Sequence, residues 1–154
     1  MIDTPRIVQT AAQAIAVVHV TVPRSEIRKV MGPGIGELRT ALGAQGVVPT
    51  GPWFTRHLKM QPDIFDFEIG LPVPRPIAPA GRVTNGELLA TTVARTIYHG
   101  GYEGLAQAWP ELDAWIVAQG RTAGPSLWET YVVDPSSSPE PATWRTELTR
   151  PLVE

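Results

Sequence analysis

Ala44-Gln45-Gly46, followed by Gly51-Pro52, recurs as Ala118-Gln119-Gly120, followed by Gly124-Pro125. In both places the glycine closes a helical stripe, and the Gly-Pro pair opens a strand-like run. Upstream of Gly46, Ile27, Val30/Met31, Ile35, Leu38 and Leu42 recur at three- and four-residue spacing, with Gly46 placed as a C′ glycine. Gly32-Pro33-Gly34 inside this stripe predicts a kink or a late helix start. Upstream of Gly120, the stripe is Leu105, Trp109, Leu112 and Ile116. Each helix follows an apolar run that reads as a strand, Ala14–Val22 before Pro23 and Glu87–Tyr98 centred on 88–97. Each is followed by a hairpin. The first pairs 52–58 with 64–69 about Gln61-Pro62-Asp63, and the second pairs 127–133 with 144–148 across the loop 135–141. Leu71-Pro72-Val73 after Glu68 answers Arg150-Pro151-Leu152 after Glu147, and the proline-rich stretch 72–82 reads as an extended connector.

A recurrence of about 75 residues is too long for a solenoid and reads as an internal duplication. The expected fold is α+β: one domain over 1–154, built from two duplicated βαββ modules at about 14–73 and 87–152. A pseudo-two-fold axis would relate them. Their strands would form one antiparallel sheet with both helices on one face and a groove between the modules.

Composition narrows the function. The 154 residues suffice for one domain with a real core, and 18% charged residues argue against a disordered polyelectrolyte. There is no cysteine, so disulfides, thiolate metal sites and cysteine catalysis drop out together. Three histidines without short mutual spacing argue against zinc, and no cofactor motif replaces it. A net charge of −2 argues against direct nucleic-acid binding. No apolar run approaches the roughly 20 residues of a membrane span, and no leader pattern appears, so a cytoplasmic location is the expectation. Gly32-Pro33-Gly34-Ile35-Gly36 lacks the dinucleotide fingerprint's third glycine, and no Gly-x-Ser-x-Gly elbow occurs.

Acidic residues inside apolar strands are the informative ones: Glu68, Glu129 and Glu147. A solvated sheet face would account for each singly. Alternation puts Glu129 and Tyr131 on one face, with Trp128 and Thr130 on the other. A symmetric register about residue 138 opposes Glu129 to Glu147, and a turn centred between Gln61 and Pro62 opposes Thr55 to Glu68. Carboxylates so paired in a groove would share a proton. A bulge would shift the register by one and separate them. Tyr98, Tyr131, Trp109 and Trp115 are candidate groove-lining aromatics, and Phe54 and His57 complete the candidate ligand-binding set. Core packing is the competing role for Trp109, Trp115 and His57.

The letters 93–105 with Ala108-Trp109, then Trp128-Glu129-Thr130-Tyr131-Val132-Val133-Asp134-Pro135 and Trp144-Arg145-Thr146-Glu147-Leu148, resemble the GyrI-like small-molecule-binding family. Asp66-Phe67-Glu68-Ile69-Gly70-Leu71-Pro72-Val73 fits the same pattern, and the resemblance runs from about Ala14 to Leu152. It is similar to effector-binding domains of AraC- and MerR-type regulators. The resemblance implies duplicated βαββ modules that hold lipophilic, often cationic, drug-like ligands, with Glu129 as the contacting carboxylate. It also implies a hydrolase alternative, since some stand-alone members open the cyclopropane of DNA-alkylating natural products. No helix-turn-helix segment precedes Ala14, so a stand-alone module is expected, and uncharged Thr55 as counterpart of Glu129 implies an asymmetric site.

Three functions stay open on the sequence. The first is a cofactor-free binding module for a small lipophilic or cationic ligand. The second is a hydrolase with Glu129 and Glu147 as catalytic carboxylates. The third is a modulator that docks on a partner protein. The chain would be a monomer or a homodimer.

Overall fold

In the computed structural model the four consecutive residues Ile15 to Val18 are buried, as a strand covered on both faces and paired on both edges must be. The structure describes residues 1–60, 63–134 and 137–153. The turn residues Gln61 and Pro62, and Pro135 and Ser136 of the second loop, lie outside the described residues. In chain order the elements are β1 (Arg6–Gln9), β2 (Gln13–Pro23), α1 (Ile27–Ala44), β3 (Phe54–Met60), β4 (Ile64–Pro72) and β5 (Val83–Leu88). There follow β6 (Thr92–His99), α2 (Leu105–Ala118), β7 (Thr122–Ala123), β8 (Leu127–Val133) and β9 (Arg145–Val153). The class is α+β, and every strand pairing described is antiparallel.

The chain divides into two compact units, Ala11–Ala90 and Met1–Thr10 with Thr91–Glu154. In the first, the strands lie in the order β3-β4-β2-β5. Helix α1 covers the face carrying Ala16, Val18, Val20, Phe67 and Ile69, burying Leu38 and Leu42 there. The opposite face gathers Ile15, Val17 and Phe54. Gly34 lies against Ile69, where an added Cβ would come within 2.5 Å of its Cδ1. Helix α1 therefore begins at Ile27 and runs through Gly32-Pro33-Gly34, where a glycine permits close approach to β4.

In the second unit the order is β1-β6-β9-β8, with the short β7 on β9. Helix α2 packs Ala108, Leu112 and Ile116 onto Ala94, Tyr98, Leu148 and Leu152. Each large side chain buried this way is worth about 1.5–3 kcal/mol. The order strand, helix, strand, strand thus occurs in each unit, as β2-α1-β3-β4 and as β6-α2-β8-β9, with β5 added in the first and β1 and the short β7 in the second. Both helices also end alike. Gly46 and Gly120 take φ values of 66° and 72°. Val47 and Arg121 donate their N–H groups back to the Leu42 and Ile116 carbonyls at 2.9 and 3.1 Å, the long bond of a Schellman cap.

Three expectations need correction. The run 87–98 is two strands, because β5 ends at Leu88 in one unit and β6 begins at Thr92 in the other, around an exposed Leu89. Strand β1 was not expected: its apolar part is only Ile7-Val8, and all of its residues but Val8 are exposed. Both hairpin registers lie one residue from the symmetric ones. Thr55 pairs with Ile69 and Arg56 with Glu68, while Glu129 pairs with Leu148 and Thr130 with Glu147. Each outer strand then carries an irregularity, between His57 and Lys59 in β3 and between Tyr131 and Val133 in β8. An extra residue of this kind shifts a ladder by one.

Candidate functional site

The pleat of β8 decides which side chains meet α2. Leu148, opposite Glu129, belongs to the core under that helix, so Glu129 and Tyr131 point to the helix-bearing face. Trp109, on the first turns of α2, donates its indole N–H to Glu129 Oε2 at 2.7 Å. The Tyr131 hydroxyl donates to Glu129 Oε1 at 2.9 Å. The half-buried carboxylate is held by one donor on each oxygen, and bonds to an ionised acceptor are about twice as strong as neutral ones.

Two further aromatic rings continue from Tyr131. Tyr102, in the single 3-10 turn before α2, meets the Tyr131 ring edge-on at 5.7 Å, and its other neighbour is Trp144 at 5.0 Å. Trp144 is fixed by its indole N–H donating to the Ser138 carbonyl at 3.0 Å. The Tyr102 hydroxyl is buried and has no hydrogen-bond partner among the described residues. Burial, then the charges of Asp134 and Glu129, push its pKa up to about 12. It is a neutral donor throughout the physiological range. Thr146, opposite Tyr131 on β9, holds a second buried hydroxyl without a partner among the described residues. A carboxylate, apolar ring faces and unspent hydroxyl donors therefore share one region. A cation placed over the face of such a ring gains about 0.5–2 kcal/mol.

A family model described as GyrI-like small molecule binding domain matches residues 3–153. The chain belongs to this family. No curated relative matches it. Among solved structures, the EcmrR C-terminal domain superposes with a TM-score of 0.87 at 21% identity, covering 98% of both chains. The EcmrR–DNA complex matches at 0.86 and 20%, and there this chain covers 98% of itself but 57% of the EcmrR chain. A hydrolase from Listeria innocua matches at 0.71 and 12% identity, over 97% of this chain and 91% of the other. SAV2435 bound to tetraphenylphosphonium matches at 0.66 and 12%, over 98% and 94%. These likenesses show the GyrI-like fold. Among the described residues, no helix is long and apolar enough to cross a membrane.

Of the residues singled out in this GyrI-like sequence, Glu129, Tyr131 and Trp109 come together. Glu147 does not join them: opposed to Thr130, it points to the other face, where its Oε1 lies 3.5 Å from Arg95 Nε. The expected Glu129–Glu147 dyad is therefore absent, removed by the one-residue register shift. Tyr98 is a core residue whose hydroxyl donates to the Gly101 carbonyl at 2.7 Å, and Trp115 packs on the same core. The other three lie in the unit of residues 11–90. Glu68 binds Arg56, with Nε donating at 2.8 Å and Nη2 at 2.6 Å. His57 stacks on Phe67 at 5.3 Å. Phe54 is buried over Gly70, where a Cβ would come within 2.5 Å of its ring. Sequence reasoning missed Tyr102, Trp144, Asp134 and Thr146 as site residues. The available signal was an aromatic directly after Gly100-Gly101, which begins the turn into α2.

Proposed function

We propose that this GyrI-like domain binds lipophilic organic cations, with Glu129 as the counter-charge and Trp109, Tyr131, Tyr102 and Trp144 as the aromatic surroundings. The observation that carries this reading is the Glu129 carboxylate held by the Trp109 and Tyr131 donors. Donors on both oxygens hold a half-buried carboxylate in one orientation, while its remaining lone pairs stay available to a cation. Rigid rings add contact area at little entropic cost. SAV2435, of like fold, is described bound to tetraphenylphosphonium, which makes that cation a suitable first probe. The separation of Glu129 from Glu147 supports binding over a two-carboxylate hydrolysis.

The test is a fluorescence titration with tetraphenylphosphonium and with tetraphenylborate, an anion of the same shape. The cation should saturate the tryptophan signal and the anion should not. Glu129→Gln should weaken cation binding by about tenfold or more, which corresponds to about 1.4 kcal/mol. Equal binding of both ions, or an unchanged Glu129→Gln affinity, would overturn the reading.

A further inference from the structure

Arg6 on β1 and Arg95 on β6 are direct cross-strand partners. Side chains so opposed stand with Cβ atoms about 4.5–5.5 Å apart on one face, and like charges in that position destabilise a strand pair. The ladder beside them is irregular. Ile2 bridges Tyr98 and the Asp3 N–H donates to the Ile97 carbonyl at 2.9 Å, yet the next pair is Arg6 with Arg95. Thr4 and Pro5 thus stand opposite the single residue Thr96, a bulge. A cavity of about 120 Å³ opens there, lined by Asp3, Thr4, Arg6, Arg95, Thr96 and Ile97.

The charges at this cavity are unequally satisfied. Asp3 is taken by His99, Oδ1 to Nε2 at 2.7 Å. Arg95 Nε faces Glu147 Oε1 at 3.5 Å and the Thr149 hydroxyl at 3.3 Å, and its two terminal nitrogens have no hydrogen-bond partner among the described residues. Arg6 is exposed and has no carboxylate within 4.0 Å among the described residues. Arg95 is on the face of Glu147, so this cavity is distinct from the cluster around Glu129.

We infer that Arg6 and Arg95 form an anion site for a small carboxylate. The cavity volume equals that of about four waters at ~30 Å³ each, enough for a carboxylate and its nearest carbons. A planar carboxylate matches the guanidinium fork of Arg6 and would relieve the Arg6–Arg95 repulsion. Asp3 lines the cavity and Glu147 faces Arg95, so a doubly charged phosphate would meet more opposition there than a singly charged carboxylate.

The test follows arginine side-chain and backbone NMR signals during titration with acetate, chloride and inorganic phosphate at constant ionic strength. Acetate should give saturable shifts at Arg6, Arg95, Thr4 and Thr96, and none at Arg39 on α1. Arg6→Gln, a change at an exposed strand position, should lower the acetate affinity by about tenfold. Circular dichroism identical to the parent would show the variant folded. Three results would each overturn the inference: non-saturating shifts matching those of chloride, tighter binding of phosphate than of acetate, or unaltered acetate binding by Arg6→Gln.

Discussion

Glu129 stands opposite Leu148, and Glu147 stands opposite Thr130, so the two carboxylates occupy opposite faces of the β8–β9 ladder. One residue of register separates this arrangement from a facing pair, and the consequences divide cleanly. Glu129 takes its surroundings from α2, whereas Glu147 takes its partner, Arg95, from β6.

Removing each charge alone should therefore give unequal effects. Glu129→Gln is expected to weaken tetraphenylphosphonium by about tenfold or more, while Glu147→Gln should leave it within about twofold. The double variant should match Glu129→Gln, since sites without shared partners act additively. A Glu147→Gln loss as large as that of Glu129→Gln, in fluorescence titrations, would sink this assignment.

Much of this arrangement was legible in the sequence, for definite physical reasons. The helix ends were readable because only glycine adopts the positive φ of Gly46 and Gly120 without strain. Glu129 was readable because a carboxylate between Trp128 and Thr130 breaks an otherwise apolar strand. The register was not readable. It depends on irregularities near Leu58 and Val132, three residues beyond Thr55 and Glu129 respectively, and no glycine marks either one. Tyr102 was missed because its role comes from a turn that brings it to Tyr131 and Trp144, a tertiary relationship without periodicity.

The turn that carries Tyr102 rests on Tyr98. A Cβ at Gly104 would stand 1.9 Å from the Tyr98 hydroxyl and 2.8 Å from Cζ. That ring is buried and its hydroxyl is committed to the Gly101 carbonyl, so it cannot yield easily. Gly104→Ala should cost about 2 kcal/mol or more, a melting-temperature drop of about 4–8 °C at this chain length. Adding Tyr98→Phe should recover part of the loss, because the worst contact is with the hydroxyl. Calorimetry showing Gly104→Ala as stable as the parent would remove Tyr98 as the anchor of the turn.

Trp109 and Glu129 should be coupled in stability as well as in binding. Trp109→Phe keeps a ring on α2 but deletes the N–H that reaches Oε2. Hydrogen bonds to charged groups are worth about 1.5–3 kcal/mol net, less where solvent shares the site. A denaturant double-mutant cycle of Trp109→Phe with Glu129→Gln should show a coupling of about 1 kcal/mol. A coupling near zero would mean that Tyr131 alone orients the carboxylate.

Tyr102 offers the sharpest contrast between stability and function. Its buried hydroxyl lacks a partner among the described residues, so Tyr102→Phe removes a desolvation cost without breaking a bond. The variant should be as stable as the parent or more stable by up to about 1 kcal/mol near neutral pH. The alkaline limb supplies the sign. Burial, with Asp134 and Glu129 nearby, raises the folded-state pKa to about 12, against about 10 in an unfolded chain. The folded protein then holds this proton more tightly. Its contribution to stability is complete below pH ~10 and is lost as the pH rises toward about 12. Urea denaturation across that window should show a steeper fall for the parent than for Tyr102→Phe, by the slope of one proton. If Tyr102→Phe instead loses more than about 1 kcal/mol at neutral pH, the hydroxyl has a partner within the folded chain, and Asp134 is the first residue to test.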